Sequence, residues 1–419
     1  MMLQKRIMLY ISVRYEQPCF RSVYEAMQEI GVSSEDNDGT AILIWHDSLK
    51  ECDYFSHLSP WQIVNRLPCV SALCRKAPFA YLLQRMQKLI PSIYTFMPKT
   101  FILPAQFDEF KKAVEKGDKA YIFKPDSSSQ GSGIIIIKPK SEIEIKEDCP
   151  LAVVQEYINS YLIRNTKFDL RLYVLVASLN PLEIYVYRNG LARFCSEEIT
   201  TESKFGQLSN VTINQANPNA DISEVSQLVS DISHQIELDG ITMKELWQRI
   251  DNAIVLTIIA AHKTLSEAEK WYCPNLGYPR CFQILGFDIL LDKNFDPWIM
   301  EVNRRPSLDY YRGKERRMKV GMIRDAVRIA APYEKAQIAV NSRKWGWDKS
   351  SWTNFVKMTP SIVEGVSEAR DEVLKKSLFE RAYPNSENPN SRNWEIARKV
   401  GDLLPIEDMP GFTLPRLDL

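Results

Sequence analysis

The chain is short of several things that would narrow its function at once. Its 53 Lys and Arg equal its 53 Asp and Glu, so no overall basic excess argues for nucleic acid, and any electrostatic partner site must be local. Its eight cysteines contain no C-x-x-C pair and only four histidines accompany them, which excludes the usual zinc patterns. The apolar run at residues 7–11 is shorter than a signal-peptide core or a membrane span, and is expected to be a buried first strand. No internal repeat is present. Cytosolic surroundings with reduced thiols are the expectation.

What remains is the composition of a soluble globular protein: 419 residues, 45% hydrophobic and 25% charged, enough for two or three domains. Residues 1–90 alternate short strands (7–13, 41–45) with helices (20–30, 77–89), and the polar run 33–40 is expected as a loop. Residues 91–340 carry strand patterns at 121–124, 133–137, 152–155, 171–177, 183–187, 283–291 and 298–302, with a long helix over 243–265. Residues 341–419 are richer in Pro, Asn and Ser. One helix is expected there at 361–378, and 383–392 is expected to be irregular. The class is α+β with antiparallel hairpins in the centre.

Four segments carry chemistry. In YIFKPDSSSQGSGIIIIK (121–138) a strand ends in Lys124 and runs into a Ser/Gly loop. Gly131 and Gly133 permit positive φ, so successive N–H groups can face phosphate oxygens beside the Lys124 charge. In FDILLDKNFDPWIMEVNRRPS (287–307) two strands flank a turn, and alternation puts Glu301 and Asn303 on one face, where Asp288 can lie opposite. Two carboxylates and an amide oxygen suit Mg²⁺. In 162–178, Lys167, Asp169 and Arg171 alternate with Phe168, Leu170 and Leu172, a charged face that can line a cleft. Arg171 and Arg193 can grip carboxylate or phosphate with two N–H groups each. The strand VVQEYI (153–158) can offer backbone groups to an adenine edge, and most such strands are simply core.

Together, and in this order, these segments resemble the ATP-grasp fold of the tubulin tyrosine ligase-like family, closer to its glutamate ligases (polyglutamylases). Further matching stretches are NRLPCVSALCRKAPFAYLLQRM, FMPKTFILP, YRNGLARF and LSNVTIN. The resemblance implies an ATP-grasp-like core with a smaller N-terminal α/β domain (1–90), a central domain bearing the phosphate-loop hairpin (91–165), a C-terminal ATP-grasp domain with the metal site (166–340) and an irregular, partly helical extension (341–419). It implies that Lys124, Gln130, Gly131, Gln155, Glu156, Tyr157, Ile158, Lys167, Asp169 and Asn210 surround ATP. Asp288, Glu301 and Asn303 would hold Mg²⁺, and Arg193, Thr212, Lys319 and Arg304 would face the substrates, with Arg171, Glu301 and Lys167 catalytic.

The implied activity is the ATP-dependent addition of free glutamate to glutamate side chains of tubulin tails through an acyl phosphate. Glycine ligation, tyrosine ligation, or an inactive relative that binds ATP and microtubules are the alternatives. The sequence departs from the family pattern at Ser132, Gln207, Ser209, Val211, Gln215 and Arg304. The implied setting is a monomer on the cytoplasmic cytoskeleton, cilium or basal body included, with neither nucleic acid nor membrane as partner. Residues 304–344 hold twelve Lys and Arg against four Asp and Glu, a strip expected to steer acidic tails, with Arg312, Arg316 and Arg317 at its centre.

Overall fold

The structure, a computed structural model, describes residues 12–15, 19–31, 33–34, 41, 43–58, 62–128, 131–139, 141, 143–200, 203–273, 279–311, 313–331 and 370–415. The expected first strand falls largely outside these residues, as do Gln130 and Arg312; of the helix expected at 361–378, residues 370–378 are described, and 370–374 are helical.

The N-terminal part alternates β1 (Ser12–Tyr15), α1 (Arg21–Ile30), β2 (Ser33–Ser34), β3 (Leu43–Trp45), α2 (Cys52–Ser56) and β4 (Ile63–Val64), followed by α3 (Ser71–Cys74) and α4 (Lys76–Leu89). The strands make a parallel sheet of order β2-β1-β3-β4. Val13, Leu43, Trp45 and Ile63 of this sheet pack on Val23, Ala26 and Met27 of α1. Ser33 and Ser34 pair with β1 rather than lying in a loop. Backbone pairing alone makes that strand, so two serines give no apolar alternation to read.

A second sheet is antiparallel, built from β5 (Thr100–Leu103), β6 (Tyr121–Pro125), β7 (Ile135–Ile137) and β8 (Ala152–Glu156) in the order β5-β8-β6-β7, with α5 (Phe107–Glu115) between β5 and β6. Side chains alternate between its two faces. Phe101, Leu103, Tyr121 and Phe123 pack on Phe110, Ala113 and Val114 of α5, whereas Ile102 and Val153 pack on Ala77 and Ala80 of α4. The small sheet is thus sandwiched between α5 and the N-terminal part's last helix.

The largest sheet comprises β9 (Leu162–Ile163), β10 (Thr166–Leu179), β11 (Leu182–Phe194), β12 (Ser226–Leu228), β13 (Gln283–Leu291), β14 (Pro297–Asn303) and β15 (Phe379–Tyr383). Its helices are α6 (Lys204–Gln207), α7 (Val211–Gln215), α8 (Ile222–Val225), α9 (Val229–Leu238), α10 (Met243–Tyr272), α11 (Gly313–Ala330) and α12 (Ser391–Leu403). Strand order is β12-β11-β10-β13-β14, with β9 on β10 and β15 on β11. Leu170, Leu172, Val174 and Val176 face the α10 stripe of Ile250, Ile254, Ile258 and Leu265. Tyr173, Leu175 and Ala177 face Met322, Ile323 and Ala326 of α11. Thr242 caps α10, its Oγ1 accepting the Glu245 N–H at 3.2 Å.

The described residues of the C-terminal part, 370–415, are more regular than their composition suggests. β15 pairs antiparallel with β11, and α12 packs on α10 with Trp394 buried and its Nε1 donating to Asn252 at 3.0 Å. Arg188 ties the joint, forking onto Asp251 at 2.7 Å twice and reaching Glu380 at 2.8 Å. The stretch expected to be irregular therefore begins at the end of one element and finishes at the start of another. Among the described residues no helix is long and apolar enough to cross a membrane.

Candidate functional site

Strand register assembles the charged face. Asp169 of β10 lies opposite Arg193 of β11, Arg171 opposite Asp288 of β13, and Asp288 opposite Glu301 of β14. Directly opposed side chains share a face, so these five groups converge. Arg193 donates from Nε and Nη2 to both oxygens of Asp169 at 2.6 Å, and its Nη2 lies 2.9 Å from Asp288. Arg171 forks onto Asp288 at 2.5 and 2.9 Å. Ser209 Oγ adds a 2.8 Å bond to Asp169.

Burial alone would raise the Asp288 carboxyl, but the Arg171 and Arg193 guanidiniums outweigh it and hold it well below the usual carboxylate range. Glu301 behaves in the opposite way. Burial and then the neighbouring Asp288 charge push its carboxyl up, and its Oε1 accepts from Asn303 Nδ2 at 3.0 Å. Asn303 also reaches Asp288 at 3.4 Å. Two adjacent carboxylates whose mutual repulsion a cation would relieve, with an amide able to turn its oxygen inward, fit a hard divalent ion. Among the described residues no cluster of three or more His, Cys, Asp or Glu suggests a metal, so the candidate rests on two acids and one amide.

The small sheet supplies the opposite wall. Lys124 Nζ donates to Gln155 Oε1 at 2.7 Å, and Gln155 Nε2 is fixed on Thr100 Oγ1 at 3.1 Å. Burial lowers the Lys124 amine to about 8, helped by Lys76 and opposed by Glu301. Lys167 is likewise lowered to about 8, chiefly by burial, and lies on Tyr157 with Nζ 2.7 Å from the hydroxyl. A narrow cavity runs between the walls, lined by Arg75, Lys76, Lys124, Gln155 and Glu301 among others.

Gly131, at φ 80°, meets α7: a Cβ there would come within 2.4 Å of Ile213 and 3.4 Å of Asn210 Oδ1. The phosphate-loop hairpin and Asn210 are therefore neighbours, and a side chain at Gly131 would separate them.

Other expected residues are dispersed. Glu156 is paired with Lys119 at 2.5 Å, while the Tyr157 N–H bonds Ala120. Ile158 is half-buried just beyond β8, and Thr212 is exposed on α7. Arg304 donates to Ser71 at 2.7 Å and lines a different cavity with Arg66 and Arg305. Lys319 is deeply buried, 2.8 Å from Glu315 and bonded to the Asp309 carbonyl. Of the basic strip, Arg316 pairs with Glu25 at 2.7 Å and Arg324 with Glu29 at 2.9 Å, so much of that charge is neutralised by α1. The sequence reading missed Lys76, which lines the first cavity and donates to the Ser128 carbonyl of the Ser/Gly loop at 2.6 Å. Its only signal was its place inside a matching stretch.

A family model described as "Tubulin-tyrosine ligase family" matches residues 55–339. A "Probable beta-tubulin polyglutamylase" of Tetrahymena thermophila is 34% identical over 402 residues, covering 89% of this chain and 33% of that protein. "Tubulin polyglutamylase TTLL6" of Homo sapiens is 34% identical over 328 residues, 75% of this chain and 36% of that one. "Tubulin polyglutamylase TTLL7" of Homo sapiens is 32% identical, covering 74% and 37%. The chain thus spans little more than a third of the length of these relatives.

Proposed function

The chain belongs to the tubulin-tyrosine ligase family, and on that premise we propose that it is an ATP- and Mg²⁺-dependent ligase that joins glutamate to glutamate side chains of tubulin tails. The observation that carries the reading is the cavity where Lys124 and Gln155 of the small sheet meet Glu301 of the large one. The two sheets are read as the halves of an ATP-grasp core, with 1–90 as the N-terminal domain, 91–165 as the central domain, 166–340 as the C-terminal one and 341–419 as an extension. The relatives' names supply the amino acid and the acceptor.

In this reading Asp288, Glu301 and Asn303 hold Mg²⁺. When bound, the nucleotide supplies the phosphoryl group that activates the acceptor carboxylate as an acyl phosphate. Lys124 and Lys76 meet the phosphate end, and Gln155 aims Lys124. Lys167, Asp169 and Asn210 complete the nucleotide's surroundings. Arg171, held by Asp288, faces the position of the developing oxyanion, where a fixed donor acts most strongly. Arg193, Thr212, Lys319 and Arg304 are assigned to the amino acid and acceptor. The protein would act as a monomer on the cytoplasmic cytoskeleton.

A second reading has a specific basis. Arg193 already bridges Asp169 and Asp288, and Lys319 already pairs with Glu315. Cations so engaged favour a relative that binds nucleotide and microtubules without turnover. Incubation with microtubules, MgATP and labelled glutamate, glycine or tyrosine in turn decides the matter. Glutamate incorporation supports the first reading. ATP-dependent binding without incorporation supports the second, and label from glycine or tyrosine alone replaces the amino acid.

A further inference from the structure

Beyond α12 the described residues stay on the body of the protein. Residues 405–415 run back over α4, outside the residues that the family model matches. The Pro405 carbonyl accepts from Arg85 at 3.1 Å, and Glu407 accepts from Tyr81 at 2.5 Å. Met409 and Phe412 exchange backbone hydrogen bonds at 2.9 and 2.8 Å, closing a tight loop whose Met409 is buried in the main core. At the tip of that loop the Gly411 carbonyl accepts from Arg75 Nη1.

Arg75 is where this segment reaches the candidate nucleotide cavity, which its side chain lines. Its Nε and Nη2 grip Asp126 Oδ2 at 3.0 and 2.5 Å, and that carboxylate has no exposed surface. Asp126 Oδ1 accepts the Ala77 N–H at 2.8 Å and so caps α4, whose own N-cap residue supplies no side-chain bond. The Asp126 N–H donates to the Leu151 carbonyl at 3.0 Å, at the entry to β8. Asp126 stands two residues after Lys124 and opens the phosphate loop. The contacts thus run from the C-terminal loop through one guanidinium to the hairpin that carries the loop.

We propose that residues 405–415 form a strap that fixes the phosphate-loop hairpin in its nucleotide-holding position, with Arg75 and Asp126 as the positioning residues that transmit it. The proposal rests on the nucleotide reading above and adds a part of the chain that reading does not use. The strap itself does not line the cavity. Its effect therefore passes through the hairpin's position and through Arg75.

Gly411 offers the sharpest test. Its φ is 73°, and a Cβ would lie 2.3 Å from Leu151 Cδ2 and 2.9 Å from Arg75 Nη2, so Gly411→Val strains the tip and either the tip or the Arg75 side chain must give way. The milder Glu407→Gln loosens the strap from α4 without touching the core. In the full chain we would measure MgATP affinity by calorimetry and amide exchange in Tyr121–Pro125 and Ile135–Ile137. Gly411→Val is expected to weaken MgATP about tenfold or more, the weight of one charge-assisted hydrogen bond, and to speed exchange in both strands. Glu407→Gln should shift both readouts in the same direction by less. Arg75→Lys should act like Gly411→Val, and the double variant should be no worse than either alone, as a shared path requires. Unaltered exchange in both strap variants, faster exchange with unchanged MgATP affinity, or additive losses in the double variant would each overturn the strap. A failure of the unaltered protein to bind MgATP would instead overturn the nucleotide reading, and with it this role for the strap.

Discussion

Arg193 is the most revealing residue to remove, because it bonds two buried carboxylates at once. Arg193→Met keeps most of the side chain's bulk and deletes contacts of 2.6, 2.6 and 2.9 Å. Asp169 is left with Ser209 Oγ, and Asp288 with Arg171 and Asn303. Stripping one partner from a buried ion pair costs about 3–5 kcal/mol, since the orphaned charge remains desolvated. That is a fifth or more of the roughly 5–15 kcal/mol stability typical of a folded protein. Urea unfolding followed by far-UV circular dichroism measures it. Adding Asp169→Asn removes one orphaned charge and should recover roughly 0.5–3 kcal/mol, the range found for residues in direct contact. Ligation should not return with stability, because the guanidinium is still missing. In Arg193→Ala the KM for glutamate should rise more than that for ATP, and a change in the ATP value alone would move Arg193 to the nucleotide site. A cost below about 1 kcal/mol for Arg193→Met would show that water screens the network and that the buried-pair argument is wrong.

Four further outcomes are expected. Glu301→Gln keeps size but removes a charge that Mg²⁺ requires, so ligation should vanish with the circular dichroism spectrum unchanged, and full activity would exclude Glu301 as a metal ligand. Lys124 and Lys167 are lowered to about 8, so MgATP affinity should be level below that pH and fall by up to about tenfold per lysine for each further pH unit; constant affinity up to about pH 9 would remove both from the site. Trp394→Ala empties a fully buried site between α12 and α10 and should cost about 3–5 kcal/mol in urea unfolding, whereas a neutral outcome would make the C-terminal helix an appendage. Arg317 is exposed with no ion-pair partner among the described residues, so Arg317→Glu should weaken microtubule co-sedimentation at low salt, and unchanged binding would place the acceptor elsewhere.

Much of the secondary structure was legible because burial enforces periodicity. The strands at 121–125, 152–156 and 283–291 alternate or run apolar as two-faced core strands must, and the α10 stripe repeats at helical spacing. β15 was not legible. FERAY has only five residues, and what makes it a strand is the free edge of β11, far away in the chain. The same holds for β2, whose serines gain a partner in β1. Short edge strands are specified by the sheet they join rather than by their own pattern.

The site shows a different limit. Alternation correctly grouped Lys167, Asp169 and Arg171 on one side of β10 and Glu301 with Asn303 on one side of β14, because period 2 is a local property of a strand. Which charge meets which is set by inter-strand register, and a one-residue slip would have turned each set to the opposite side. Register is fixed here by the paired apolar faces: Leu170 opposite Ile289 and Leu172 opposite Phe287 bring Arg171 onto Asp288 between them. The hydrophobic core thus decides the wiring of the polar face. A guanidinium that looks free in the sequence, such as Arg193, Arg316 or Arg324, can acquire a carboxylate from a distant segment. Counting charges along 304–344 overstates the basic strip for this reason, since α1 brings Glu25 and Glu29 against it from nearly three hundred residues earlier.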